Sequence, residues 1–416
     1  METKTKTLFN KDFTLVVIGQ IISLFGNAIL RFALPLYLLR ATNSAFIFST
    51  VFSISFIPLC IFALIGGILA DRLNKRNIMV MLDFFTAILI LAFLLFFKSV
   101  SIVPVFTITL MILFGIQGLY QPTVQASIPL LVDYNDILSA NAIINQINTF
   151  ANLLGPIIGG ILFSYFSITP ILIISIICFA LSSFMEIFIK IEFIKQERND
   201  GVLVTAKNDL KESYLYAKKE KPIFFKIGFI VALFNMVLTT MLIVGIPIII
   251  IQILKMDDLK LGLAQGILAM GSILGGISSA TILKNLEFKK SHIFLFICSL
   301  GVTLMGIAMY LNISNMVTYI IINISSFILM SMATIFTIQT FTFFQIQTPQ
   351  NLIGKIMAIL IAIAVSSQPI GQIIYGLIFD YFIKNNLVDS VYIILIISSI
   401  LGVLTSLYCK KNLKNI

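Results

Sequence analysis

The sequence predicts an all-α integral membrane protein, with twelve transmembrane helices in two pseudo-symmetric six-helix bundles. Three observations carry that reading. Of the 416 residues, 59% are hydrophobic and only 11% charged, where soluble domains run about 45–50% and about 25%. So few charges cannot clothe a water-facing surface, and the mean hydropathy of +1.06 agrees. The apolar runs continue for about twenty residues, the length of a bilayer-crossing helix, and do not alternate as the strands of a membrane barrel do. One polar, charged stretch lies midway along the chain. Soluble enzymes, nucleic-acid binders and disordered proteins are excluded by the same composition.

Charges and turn residues cut the chain into spans at 13–39, 45–70, 77–97, 103–131, 137–164, 168–190, 223–252, 259–284, 291–311, 315–345, 354–380 and 390–409. The linkers are short except 191–222, which carries thirteen charges. We therefore expect an N-terminal bundle over 1–190, a cytosolic linker over 191–222 and a C-terminal bundle over 223–416. Within the linker, 207–221 reads as an amphipathic surface helix. The charged N-terminus leads straight into a long span, without the short apolar region and small-residue cleavage site of a removable signal.

A cytosolic N-terminus puts 22 of the 28 basic residues on the cytosolic side, as the positive-inside rule requires. An even number of spans returns the C-terminus to that side. The net charge of +10 is then a topology signal, and no nucleic-acid partner is needed to explain it. Cys60, Cys178, Cys298 and Cys409 are scattered with no CxxC spacing, and His292 is the single histidine. No metal site and no cofactor are expected.

The halves echo one another. Gly160–Phe166 (GILFSYF) matches Gly376–Phe382 (GLIFDYF) at an offset of 216 residues, and Pro35 with Gly66-Gly67 is echoed by Pro247 with Gly275-Gly276. A duplicated six-helix unit with a site between the halves is a transporter architecture.

Two motifs stand out. Gly66–Arg76 reads GGILADRLNKR at the end of span two. Its glycines allow close helix approach, Asp71 and Arg72 end the helix, and Lys75 and Arg76 add positive charge. In span five, Asn152–Gly160 reads NLLGPIIGG. Here the chain resembles the major facilitator superfamily. Gly67, Asp71, Arg72 and Lys75 match the family signature G-x-x-x-D-R/K-x-G-R/K-x-R/K, with Asn77 in place of the last basic residue and Asn74 in place of the second glycine, where it is expected to keep a left-handed turn. Gly155, Pro156, Gly159 and Gly160 match the glycine–proline segment of the drug-exporting branches. The resemblance implies a conformational latch at Gly67, Asp71, Arg72 and Lys75, and antiporter-type activity from the span-five segment. The second-half loop keeps only the glycines and a late Lys284. The overall pattern is most similar to the macrolide-efflux-like branch. It implies a bacterial plasma-membrane protein working as a monomer, with both termini cytosolic, a small-molecule substrate, the proton as coupling ion and the lipid bilayer as surroundings.

Ionisable groups within the spans are few. Arg31 reads as a cavity-facing cation that holds an anionic group or pairs with a carboxylate, or as a residue snorkelling to the interface. Asp83 is expected to pair with the basic loop Asp71–Arg76, and Glu186 and Asp380 to lie at the interface. Asp83 and Glu186 are the candidates for proton coupling. Amides form stripes: Gln117, Gln121 and Gln125 on span four, and Asn141, Asn145, Asn148 and Asn152 on span five, each on one helix face. They face either a neighbouring helix or a wet cavity. In the superfamily, spans one, four, seven and ten line the central cavity, so the resemblance makes Asn27, Arg31, Gln117, Gln121, Asn235 and Asn323 the substrate-cavity candidates. One departure is plain: Leu113 and Phe114 stand where proton-coupled exporters carry an arginine early in span four.

The leading expectation is a multidrug-resistance type of antiporter, a secondary exporter of amphipathic small molecules working by alternating access. A lysophospholipid or siderophore transporter of the same fold is the alternative. A non-transporting receptor is disfavoured because no sensory domain is visible. No nucleophile–base set and no Walker A sequence is present, so an enzyme or an ATP-driven pump is not expected.

Overall fold

The computed structural model describes residues 8–133, 136–191, 215–281, 288–349 and 352–413, apart from the side chains of 64–65, 67–68, 70–72, 138, 280, 353–355 and 358. Among the described residues, twelve helices are long and apolar enough to cross a membrane. They are α1 (Lys11–Thr42), α2 (Ala45–Arg72), α3 (Lys75–Phe96), α4 (Ile102–Leu131), α5 (Ile137–Phe166) and α6 (Ile168–Glu186). The span Ile223–Ile253 is α7. It is followed by α8 (Asp258–Thr281), α9 (His292–Tyr310), α10 (Asn315–Gln347), α11 (Ile353–Lys384) and α12 (Tyr392–Leu413). The ends fall within a few residues of those expected from charges and turn residues. Of the amphipathic segment 207–221, residues 207–214 lie outside the described residues, and 215–219 are helical. Lys284 also lies outside them.

The chain divides into two compact units, Met1–Ala41 with Ile54–Val202, and Thr42–Ser53 with Leu203–Ile416. The beginning of α2, as far as Ser53, thus groups with the second unit. Inside each unit the helices pack in the same order. In the first, α3 lies along α6 and α4; in the second, α9 lies along α12 and α10. The glycine pairs that echo in sequence do the same job in both. Gly66 of α2 faces the Gly118 carbonyl of α4, with only 2.8 Å left for a Cβ. Gly275 of α8 abuts the Ser331 carbonyl of α10 in the same way. Lipid gives helices no hydrophobic drive to associate with each other, so such backbone-to-backbone contact supplies the packing.

The tight turns that join α1 to α2, α5 to α6, α7 to α8, α9 to α10 and α11 to α12 each pass through a left-handed residue: Asn43, Ser167, Lys255, Asn312 and Asn386. Asparagine tolerates that conformation through local hydrogen bonds. Asn74 does not use it. Its φ of −65° and ψ of 114° are extended, and its side chain caps α3 by accepting from the backbone N–H of Arg76 and Asn77. The expected left-handed turn is therefore replaced by an N-cap, a position that Asn favours for its short acceptor.

Span seven departs most from a regular helix. After an α-helical start at Ile223–Phe234 it runs through π turns at Asn235–Thr239, Met241–Gly245 and Ile249–Ile253. The wider turn frees carbonyls that must find donors within the protein. Thr240 Oγ1 donates to the Asn235 carbonyl at 2.8 Å, and Tyr375 Oη of α11 donates to the Val237 carbonyl at 3.0 Å.

Candidate functional site

The first unit buries a polar hub where α1, α3, α4 and α6 meet. Gln20, Ser23, Asn27 and Arg31 follow one another at spacings of three and four along α1, so they share a face. Gln20 Nε2 donates to Tyr120 Oη at 2.7 Å, and Tyr120 Oη donates to Glu186 Oε1 at 2.7 Å. Ser23 Oγ donates to Asp83 Oδ1 at 3.1 Å. Asp83 lies within electrostatic reach of both Tyr120 and Glu186. Ser182, one turn before Glu186, donates to the Gly19 carbonyl at 3.1 Å and so ties α6 to α1.

The burial is nearly complete: Gln20 is 0%, Glu186 1% and Asp83 2% exposed. Glu186, the last residue of α6, is buried at the end of its span and hydrogen-bonded by Tyr120. Asp83 is met by hydroxyl groups, Ser23 from α1 at hydrogen-bond distance with Ser182 and Tyr120 beside it. The side chains of Gly67, Asp71 and Arg72 lie outside the described residues, while Lys75 opens α3.

Beside the hub lies a small cavity lined by Ser23, Asn27, Asp83, Gln117, Tyr120 and Gln121, together with apolar Leu24, Leu113, Ile116 and Phe179. It gathers three of the four candidates in this unit, Asn27, Gln117 and Gln121, with Asp83. The fourth, Arg31, is joined through Gln117. Its Nη1 donates to Gln117 Oε1 at 2.7 Å, and its guanidinium stands 4.5 Å from the Phe114 ring centre. A cation over an aromatic face is stabilised by the ring quadrupole. Phe114 thus supports the guanidinium and occupies the place where an arginine was missed. Of the span-four stripe, Gln125 is exposed and away from this cavity. In the span-five stripe, Asn141 and Asn148 bond back to carbonyls of their own helix.

The glycine–proline segment brings α5 against α1. A Cβ on Gly155 would overlap Ala28, and one on Gly159 would stand 2.9 Å from Phe32. Gly160 is buried beside them and Pro156 is half-buried. Their neighbours follow Asn27 and Arg31 on α1, so the segment sits behind the cavity-bearing helix.

The remaining cavity candidates, Asn235 and Asn323, lie in the second unit. Asn235 Oδ1 accepts from Gln368 Nε2 of α11 at 3.1 Å, at the first π turn of α7. Asn323 bonds its own helix through Tyr319, and its Oδ1 is buried without a partner. In the same unit Asp380, one turn before the end of α11, is buried at 8% exposure. It accepts from Ser44 Oγ at 2.8 Å and pairs with Lys384 at 2.7 Å.

In the sequence Gln20 is one isolated polar residue of span one. Ser23, Tyr120 and Ser182 were not singled out, because hydroxyl groups in an apolar run look like packing residues. The signal that finds them is the α1 register: Ser23 falls between Gln20 and Asn27 on one face.

Comparison with known proteins agrees with this architecture. The family model for the Major Facilitator Superfamily matches residues 16–371. Macrolide efflux protein A of Streptococcus pyogenes is 24% identical over 175 residues, which is 42% of this chain and 43% of that protein; the match thus spans less than half the length of the relative. A bacterial homologue of the human lysosomal transporter Spinster superposes with a TM-score of 0.73 at 12% identity, over 99% of this chain and 98% of the other. The nucleoside transporter NupG gives 0.75 at 13% identity, over 97% and 100%. A D-xylose–proton symporter gives 0.70 at 14%, over 98% and 99%. With twelve apolar helices, repeated packing in two units and a family match across most of its length, the chain belongs to the Major Facilitator Superfamily and is a membrane transporter, not an enzyme.

Proposed function

We propose that this chain is a secondary active exporter of amphipathic small molecules, coupled to the proton gradient and working by alternating access between bundles 1–190 and 223–416. The observation that supports it best is the mixed cavity in the first unit. Amides from Asn27, Gln117 and Gln121 face it beside Leu24, Leu113, Ile116 and Phe179. A wall that sets four apolar side chains among seven polar ones suits the polar part of a molecule that is itself part apolar and part polar. In this reading Asn235 and Asn323 serve the substrate path from the second half, and Asp83 and Glu186 carry the coupling proton. Gly67, Asp71, Arg72 and Lys75 form the latch. Gly155, Pro156, Gly159 and Gly160 allow α5 to shift against α1. The partial likeness to macrolide efflux protein A supports the direction of transport. The protein would sit as a monomer in a bacterial plasma membrane, with both termini cytosolic.

The test is uptake into inverted vesicles of a panel of macrolides, dyes and lysophospholipids, with and without a pH gradient. Gradient-dependent uptake of at least one compound is expected. If the gradient changes uptake of none, the antiporter reading fails.

Arg31 favours a second reading, in which the substrate is an anionic amphiphile such as a lysophospholipid. Its described partners are an amide oxygen and an aromatic ring, so the guanidinium keeps donors for a phosphate or carboxylate. Arg31→Gln should then abolish uptake of anionic panel members and spare uncharged ones. Equal loss for both would remove that reading.

A further inference from the structure

We infer that Gln20, Asp83 and Glu186 form a binding site for one small monovalent cation of the sodium class. The geometry of the hub points there. Three buried oxygens have no hydrogen-bond partner: Gln20 Oε1, Asp83 Oδ2 and Glu186 Oε2. All three belong to side chains joined through, or interacting with, the Tyr120 hydroxyl. Gln20 is the independent member. It is fully buried, it is not acidic, and its bond from Nε2 to Tyr120 fixes the amide at the hub with its oxygen left over.

The chemistry of what is missing narrows the ligand. Buried polar atoms are expected to be paired, and all three here are acceptors. A single proton placed on one carboxyl bridges two oxygens at most, and pairing the third would take a second proton on the other acid. One cation within reach of all three pairs them at once, because coordination needs only lone pairs. The donor set is oxygen throughout, which suits hard cations. Ser23 and Ser182 add hydroxyl oxygens beside the carboxylates. Divalent ions ask for more: magnesium keeps several waters and calcium takes six to eight oxygens, in a site enclosed by four apolar helices. A small cavity touches the hub at Ser23, Asp83 and Tyr120. The titratable groups facing the site are Asp83 from α3, Tyr120 from α4 and Glu186 from α6. Helix α1 offers an amide and a hydroxyl there, and its Arg31 is engaged farther along with Gln117.

The inference rests on the coupling role given above to Asp83 and Glu186, and adds a metal cation that competes with the proton for them. Binding is measured on the purified full-length protein in detergent, without any transport step. Thermal unfolding is followed at mildly alkaline pH, where protons compete least, in matched NaCl, LiCl, KCl, choline chloride and MgCl2. Sodium should raise the midpoint by several degrees over choline and saturate with concentration. Gln20→Leu keeps both carboxyls and should weaken the sodium response about tenfold, a change of about 1.4 kcal/mol; Asp83→Asn should abolish it. Both variants must unfold cooperatively in choline, and Gln20→Glu, which restores an oxygen, should recover the response. No sodium effect in the unaltered protein, an equal effect of choline, an effect of magnesium alone, or an undiminished response in Gln20→Leu would each overturn the site. Gradient-driven export without sodium binding would leave the transport reading intact. Sodium binding without export of any panel compound would do the reverse.

Discussion

Two buried carboxylate sites of this protein look alike in sequence and differ in how their oxygens are used. Asp380, near the end of α11, is fully engaged. Its Oδ1 accepts from Ser44 Oγ at 2.8 Å and, at a long 3.5 Å, from the Phe46 N–H at the start of α2; its Oδ2 pairs with Lys384. Asp83 and Glu186, in the first unit, share a hub in which each keeps one buried oxygen without a partner, and among the described residues neither forms an ion pair. A carboxylate whose oxygens are all taken holds a structure together. One with a spare, buried acceptor is costly in its charged form unless something arrives to neutralise it. The first site is thus a clasp and the second a place whose occupancy can change.

The comparison is broken most directly by neutralising each acid in place. Asp83→Asn and Glu186→Gln keep shape and volume. Each should lower gradient-driven export more than about tenfold, equivalent to about 1.4 kcal/mol in the barrier, while the thermal midpoint stays level or rises. Removing an uncompensated buried charge relieves desolvation. Transport in vesicles and unfolding of the same preparations check both halves. Loss of stability together with loss of transport would mean the hub is a clasp as well.

A second break acts on the clasp through its packing. Gly376 lies one turn before Asp380 on α11, against the first turns of α2. A Cβ there would overlap the Ser49 side chain, stand 2.6 Å from Ser49 Cβ and lie 3.1 Å from the Ala45 carbonyl. Rotating Ser49 does not clear its own Cβ, so backbone must move. Gly376→Ala should cost about 1–3 kcal/mol, the usual range for overpacking, read as a lower midpoint in thermal unfolding. The same substitution at Gly276, whose Cβ would meet nothing within 4 Å, is the control and should be nearly silent.

Much of this molecule could be read from the chain alone. The spans follow from apolar runs and charge positions, and the echo of Gly66 in Gly275 follows from close packing that recurs in each unit. The sites were legible only in part. Arg31, Asp83, Gln117 and Gln121 are visible because a polar group in a hydrocarbon run is rare. Their partners are not, because hydrogen bonding across the bundle joins residues far apart in sequence. Tyr120 and Glu186 are 66 positions apart, and Ser44 and Asp380 are 336. Position near a span end did not reveal that Glu186 and Asp380 are buried, because neighbouring helices can cover a residue there. Asn74 misled differently, since the same residue type serves both a left-handed turn and an N-cap.

Removing the clasp acid itself should cost less than overpacking it. Asp380→Ala strips the acceptor from Ser44 and from the first turn of α2, in the manner of a lost N-cap, which is worth about 1 kcal/mol. Asp380→Asn keeps an acceptor and should recover most of that. A midpoint equally low in both variants would shift the weight from hydrogen bonding to charge.

That charge is the smallest term, and Lys384 isolates it. The lysine side chain is 66% exposed while the Asp380 side chain is only 11% exposed, so one partner of the pair stays in water. Exposed ammonium groups lose little on being released, and solvent-facing pairs contribute under about 1 kcal/mol. Lys384→Met should therefore lower the thermal midpoint less than Asp380→Ala does. The difference between Lys384→Met and the unaltered protein should also shrink as salt is raised from 50 mM to 500 mM, as roughly expected from a Debye length that falls from above 10 Å to below 5 Å over that range. The hydrogen bond from Ser44 survives the change, which keeps the start of α2 fixed. If Lys384→Met proved as damaging as Asp380→Ala and insensitive to salt, Asp380 would depend on its lysine, and its contrast with the hub acids, which form no ion pair with a side chain among the described residues, would be one of charge pairing alone.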